Sequence, residues 1–207
     1  MAFQIEGGNT FIHIPRCGGT SVWYKAGDYY HVDGAFHLKI NELEEMVGPQ
    51  REYIIQIRNP YHRFLSFFNF LKMQLGKQAI ENRKVVYQPD LDFLDNLTFR
   101  DFCYSLQNTE LQNKIVDTLQ KYNGILRGIP NYKHAYELQY TWFDGYDNVE
   151  LFKIEHKDIW AYLGEKPIAV NDSIIKEQDI VSDTEAKMIR HYFEEDFYRL
   201  KYSQKVV

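Results

Sequence analysis

The chain has 207 residues, 44% of them hydrophobic and 26% charged, which is enough for one well-buried core and unlike a disordered or fibrous composition. A net charge of -5 argues against a general nucleic-acid binder, which carries a basic excess, but leaves room for a local basic pocket. The 2 cysteines, Cys17 and Cys103, stand in no metal-ligand spacing, so neither a disulfide framework nor a metal site is expected; no apolar run suits an export signal or a membrane span, and the expectation is a soluble, cytoplasmic protein.

Thr10 to Ile14 is rich in β-branched and aromatic residues and predicts a strand. Pro15 stops it, Gly18-Gly19 demands a tight turn, and Thr20 or Ser21 offers a hydroxyl N-cap to a helix running to about Ala26. Residues 28–37 are irregular. Apolar spacing over 38–47 predicts a helix that Gly48-Pro49 ends. Glu52 to Ile57 is the second clear strand, and Pro60 opens a helix over about 61–75. Residues 76–97 read as an irregular excursion.

Capping-box patterns at Thr98 to Asp101 and Ser182 to Glu185 predict two helix starts. Between them, 108–122 and 132–143 read as helices, 149–154 as a strand and 156–163 as a helix. The sum is a single α/β domain over residues 1–207, a small parallel sheet flanked by helices, with a helical insertion of roughly 77–140 over the ligand edge.

Two stretches carry chemistry. In "FIHIPRCGGTS", residues 11–21, a strand, a glycine turn and a helix N-terminus converge, an arrangement that suits an anion. The nucleoside-triphosphate hydrolase version ends in Gly-Lys-Ser/Thr; here Arg16 is the cation inside the loop and no Lys precedes the hydroxyls, which argues against a Mg²⁺-dependent kinase or ATPase. A bare turn without ligand is the plain alternative. In "IIQIRNPYHRFLSFFNFL", residues 54–71, Arg58 ends a strand, where an α/β fold opens its ligand crevice and where a planar guanidinium fork suits phosphate. Ser66 lies about two helical turns on. His62 and Arg63 read as solvated surface as readily as ligands.

Taken as a pair, these stretches resemble the 5′-phosphosulfate loop and the 3′-phosphate motif of sulfotransferases, nearest to the carbohydrate (heparan and dermatan 2-O-) group and its short bacterial relatives. "LQYTWF…VELFKIEHKDI" and "VNDS…EEDFYRLKYS" are loosely similar to the later parts of that family. The resemblance implies a P-loop-type core and 3′-phosphoadenosine 5′-phosphosulfate as donor, with adenosine 3′,5′-bisphosphate as product. A hydroxyl of a small molecule or saccharide would accept the sulfuryl group by in-line transfer, with no metal. It also implies that Arg16, Cys17, Gly18, Gly19, Thr20 and Ser21 hold the 5′-phosphate, and that Arg58 and Ser66 hold the 3′-phosphate. Arg16 replaces the family's Lys and Cys17 its Thr or Ser. Arg stays protonated, so it can stabilise a leaving phosphate but is a poor general acid.

The general base that the resemblance calls for is His37, in "GAFHLKINEL", with His31 next and Asp33 or Glu42 behind it. His13, alternating along the first strand, reads as a core or edge residue. Lys72, Arg83, Lys84, Tyr87 and Arg127 are loose acceptor-cleft candidates. The alternative function is a non-catalytic binder of adenosine 3′,5′-bisphosphate or a related nucleotide, which the Arg16-Cys17 pair favours. Oligomeric state stays open.

Overall fold

Central strands of an α/β sheet are buried on both faces, and Tyr53 to Ile57 meet that requirement: every residue of the strand is buried, the polar Gln56 included. The computed structural model describes residues 2–5, 8–26, 37–81, 89–121, 132–168 and 182–205. In chain order the elements are β1 (Phe3–Gln4), β2 (Thr10–Ile12), α1 (Gly19–Ala26), α2 (Ile40–Val47), β3 (Tyr53–Ile57), α3 (Pro60–Glu81), α4 (Pro89–Asn96), α5 (Phe99–Tyr104) and α6 (Thr109–Lys121). Two 3-10 turns follow at Tyr132–Ala135 and Gln139–Trp142, then β4 (Val149–Lys153), α7 (Asp158–Tyr162), α8 (Asp183–Tyr192) and α9 (Glu194–Arg199).

The residues group into two compact units. The first comprises Met1–Asn59, Leu138–Asp172 and Tyr198–Tyr202 and contains the sheet, of order β1-β2-β3-β4. Strands β2, β3 and β4 are parallel, with Ile12 opposite Ile55 and Ile57 opposite Lys153. Strand β1 pairs antiparallel with β2, Phe3 opposite Phe11. The sheet is therefore mixed, not the purely parallel one expected. Two residues of β1 are too few for a period-2 pattern to show.

The period-2 alternation of β3 divides its side chains between two cores. Tyr53, Ile55 and Ile57 pack with Ile12 and Ile14 against Ile40 and Leu43 of α2. Ile54 packs with Phe3 and Phe11 against Val22 of α1 and Ile159 and Trp160 of α7. Helices thus flank both faces of the sheet, as the α/β reading required.

The second unit comprises Pro60–Glu137, Ser173–Phe197 and Ser203–Val207. Its spine is α3, whose Phe64, Phe67, Phe68 and Leu71 repeat at helical spacing and are buried. Phe64 stacks on Phe102 of α5 at 4.5 Å between ring centroids. Helix α3 runs on to Glu81, and α4 covers Pro89–Asn96, so most of the excursion expected over 76–97 is helical where described. The single helix expected over 132–143 is instead two 3-10 turns, and α7 is shorter than the 156–163 expected because residues 154–157 form a turn. No described helix is long and apolar enough to cross a membrane.

Candidate functional site

The carboxyl ends of β2, β3 and β4 lie side by side in the first unit, the edge at which open α/β sheets take ligands. Beyond β2 the chain turns sharply. The Cys17 amide donates to the Ile14 carbonyl at 3.2 Å, and φ is left-handed at Arg16 (66°) and Gly18 (83°). Ser21 and Val22 amides both donate to the Gly18 carbonyl, at 3.0 and 3.4 Å, which makes Gly18 the N-cap of α1. Thr20 and Ser21 therefore lie within the first turn instead of capping it. The earliest amides of a helix have no intrahelical acceptor and bear the positive end of its dipole, as those of Gly19 and Thr20 do here. Ser21, expected to share in a phosphate cradle, has its amide engaged by the helix itself.

Both glycines are required by close approach. A Cβ on Gly18 would lie 2.6 Å from Ile154 Cδ1 and 2.9 Å from Gln56 Oε1. A Cβ on Gly19 would lie far inside van der Waals contact with Cδ2 of the His13 ring. Only glycine fits at either place.

His13 is buried at the end of β2, and burial holds its imidazole well below the usual range, with the charges of His37 and Arg16 adding to the effect. It is therefore neutral near pH 7. The His37 ring meets it edge to face, 4.9 Å between centroids at 64°. His37 is half-buried and has left-handed φ (53°). The base candidate thus stands against a neutral imidazole that in turn rests on the first residue of α1. His31 and Asp33 lie outside the described residues. Glu42 accepts a hydrogen bond from the Lys39 amide at 2.7 Å and so closes the start of α2.

At the end of β3, Arg58 is half-buried and its Nη1 donates to the Arg16 carbonyl at 3.3 Å. Its main chain is held by Gln139, which is fully buried: Gln139 Nε2 donates to the Arg58 carbonyl at 2.8 Å, and the Arg58 amide donates to Gln139 Oε1 at 2.9 Å. The Cys17 thiol donates to the same oxygen at 3.2 Å. Cys17 is thus turned into the protein, where its sulfur serves the scaffold.

Glu155, just past β4, accepts from the Asn59 amide at 2.7 Å and from the Tyr202 hydroxyl at 2.9 Å. Burial and then the Glu155 charge raise the Tyr202 phenol well above its ordinary value, while the charge of Arg58 pulls the other way. Glu155 and a protonated Tyr202 phenol thus bond to each other beside Asn59, the residue that follows Arg58.

Arg16, Cys17, Gly18, Gly19, Thr20, Ser21, His37 and Arg58 all belong to the first unit. Ser66 belongs to the second, buried on α3. Arg63, read as surface or ligand, is buried in that unit and staples it, donating to the carbonyls of His134 (2.6 Å) and Glu137 (2.9 Å). Lys72 donates to the carbonyls of Leu94 (3.1 Å) and Asp95 (2.5 Å) near the end of α4. Arg83, Lys84, Tyr87 and Arg127 lie outside the described residues.

Gln139, Glu155 and Tyr202 fall inside the stretches likened to the later parts of the family but were given no site role, and His13 none beyond packing. The stretch around Gln139 was visible as a likeness, but nothing in its spacing tells that its amide reaches residue 58. No family model matches the chain, and no curated protein or solved structure matches it either.

Proposed function

We propose that the chain is a small sulfotransferase with a P-loop-type core, taking 3′-phosphoadenosine 5′-phosphosulfate as donor and a hydroxyl acceptor. The observation that supports it best is the pair of cations at adjacent parallel-strand ends: Arg16 in a left-handed turn before α1, and Arg58 bonded to the Arg16 carbonyl. In this reading the amides of Gly18, Gly19 and Thr20 receive the 5′-phosphate and Arg58 the 3′-phosphate. The resemblance makes a small molecule or a saccharide the source of the acceptor hydroxyl.

The donor supplies the sulfuryl group. His37 takes the proton of the attacking hydroxyl as the new oxygen–sulfur bond forms, and Arg16 meets the charge that grows on the phosphate oxygen as the old bond breaks. A neutral His13 beside His37 favours a His37 able to accept that proton, since it adds no positive charge.

A second reading, a nucleotide binder without turnover, draws on one feature: Cys17 faces Gln139, so the loop lacks the hydroxyl that relatives would place there. Calorimetric titration with adenosine 3′,5′-bisphosphate and with the phosphosulfate, followed by a donor-loss assay over an acceptor panel, separates the readings. Catalysis predicts binding of both ligands, and a His37→Ala variant that still binds the bisphosphate while kcat drops by roughly 10² to 10⁴. Binding with no donor loss supports the binder. Binding of neither ligand sinks both.

A further inference from the structure

Resting on the nucleotide reading above, we propose that Gln139 is a positioning residue that sets selectivity for the 3′-phosphate by fixing the Arg58 main chain. The β2 ladder stops at Ile12–Ile55 and the β4 ladder at Ile57–Lys153, so Arg58 stands three residues past the first and one past the second. An unpaired amide and carbonyl there would be costly to bury. Gln139 supplies both partners at once, giving Nε2 to the carbonyl at 2.8 Å and taking the amide on Oε1 at 2.9 Å. A side-chain amide that exchanges two hydrogen bonds with one residue imitates the paired residue of a neighbouring strand. It extends the order of the sheet to the residue that carries the cation.

The same Oε1 accepts from the Cys17 thiol at 3.2 Å, and Arg58 Nη1 reaches the carbonyl of Arg16, the neighbour of Cys17, at 3.3 Å. The circuit Cys17, Gln139, Arg58, Arg16 is therefore closed, and the Arg58 guanidinium is tied to the main chain of Arg16. A guanidinium fork binds phosphate directionally, so freedom in the Arg58 backbone would be paid in the contact to the 3′-phosphate and not in the amide cradle. Cys17 acquires a reason as well. Its thiol is a third partner for the clamp, which explains an inward residue at a place where relatives carry a hydroxyl.

Simple structural support predicts something different, an equal loss for every nucleotide. The test measures, on the full chain, the affinities of wild type and Gln139→Met for adenosine 3′,5′-bisphosphate and for adenosine 5′-phosphate. Wild type should prefer the bisphosphate. In Gln139→Met that preference should shrink by about tenfold, the equivalent of about 1.4 kcal/mol, with the 5′-phosphate affinity changed by less than about threefold. Equal losses for both nucleotides, or a preference left intact, would overturn the proposal. Should Gln139→Met fail to fold, amide hydrogen exchange on the wild type decides: the bisphosphate should slow exchange at the Arg58 amide about tenfold more than adenosine 5′-phosphate does, and equal slowing overturns the proposal. A wild type that prefers the bisphosphate sinks the clamp alone if Gln139→Met keeps that preference, if the variant loses affinity equally for both nucleotides, or if both nucleotides slow exchange at the Arg58 amide equally. A wild type that binds neither nucleotide sinks the parent reading, and the clamp with it.

Discussion

His13 and His37 meet edge to face, and the buried His13 does not readily carry a proton. Burial keeps His13 neutral, so on unfolding it gains an affinity for protons that it lacks in the fold. The sign follows directly: below its ordinary value of 6.5 the unfolded chain binds the proton and the folded chain does not, so this contribution is intact above pH 6.5 and is lost as pH falls. The expected outcome is that wild type loses stability between pH 7 and pH 5 more steeply than His13→Gln, by at most about 1.4 kcal/mol per pH unit for one proton. Urea midpoints at the two pH values check it, and parallel lines for the two proteins would refute it. The left-handed backbone at Arg16 and His37 is a second residue-scale feature; such a φ is uncommon outside glycine, and among the described residues it recurs at Lys157 and Lys201. Neither the pairing of His13 with His37 nor the backbone at Arg16 could be read from spacing, because both depend on a turn whose path only the folded neighbours fix.

The element that carries most of the site is the turn from β2 into α1, and its glycines are constrained by what lies over them. Gly19→Ala would drive a methyl into the His13 ring, a small-to-large change in a packed place that costs about 1 to 3 kcal/mol. Chemical denaturation should show that loss, and His13→Ala introduced alongside should recover part of it. An unchanged midpoint for Gly19→Ala would mean that the ring moves freely. Much of this was legible: the Gly18-Gly19 turn, the strand before it and β3 follow from composition and punctuation. The capping box at Thr98 was legible too, with Thr98 Oγ1 accepting from the Asp101 amide at 3.1 Å. At Ser182 the helix start was read correctly, yet no side-chain cap forms there, and Glu185 is buried with Oε2 lacking a partner among the described residues. The 3-10 turns of 132–142 were read as one helix because apolar spacing at three and at four residues is hard to tell apart over so short a run.

On the scale of the molecule, the sheet edge and the proposed 5′-phosphate loop sit in one compact unit, and so do Trp23, Trp142 and Trp160, which are all the tryptophans of the chain. Intrinsic tryptophan fluorescence is therefore a probe of that unit. Adenosine 3′,5′-bisphosphate at about a hundred times its Kd should raise the unfolding free energy read by tryptophan by about 2.7 kcal/mol. Guanidinium titration followed at the tryptophan band measures it, and a midpoint indifferent to the ligand would count against binding in this unit. The division into units was not legible, because the chain leaves the first unit at Asn59 and re-enters it at Leu138 without a Gly/Pro/Ser-rich linker to mark the crossing. The short β1 was missed for a related reason: its role is to pair at an edge, and two residues leave no pattern.

The imidazole of His13 occupies the space that any other residue at position 19 would need. Inheritance of the two positions is therefore joint. A descendant that exchanges glycine 19 for alanine or serine bears the full cost of the crowded ring unless position 13 has already shrunk, and one that keeps histidine at 13 is favoured to keep glycine at 19. The path of mutation through this loop is ordered, with the strand residue changing first.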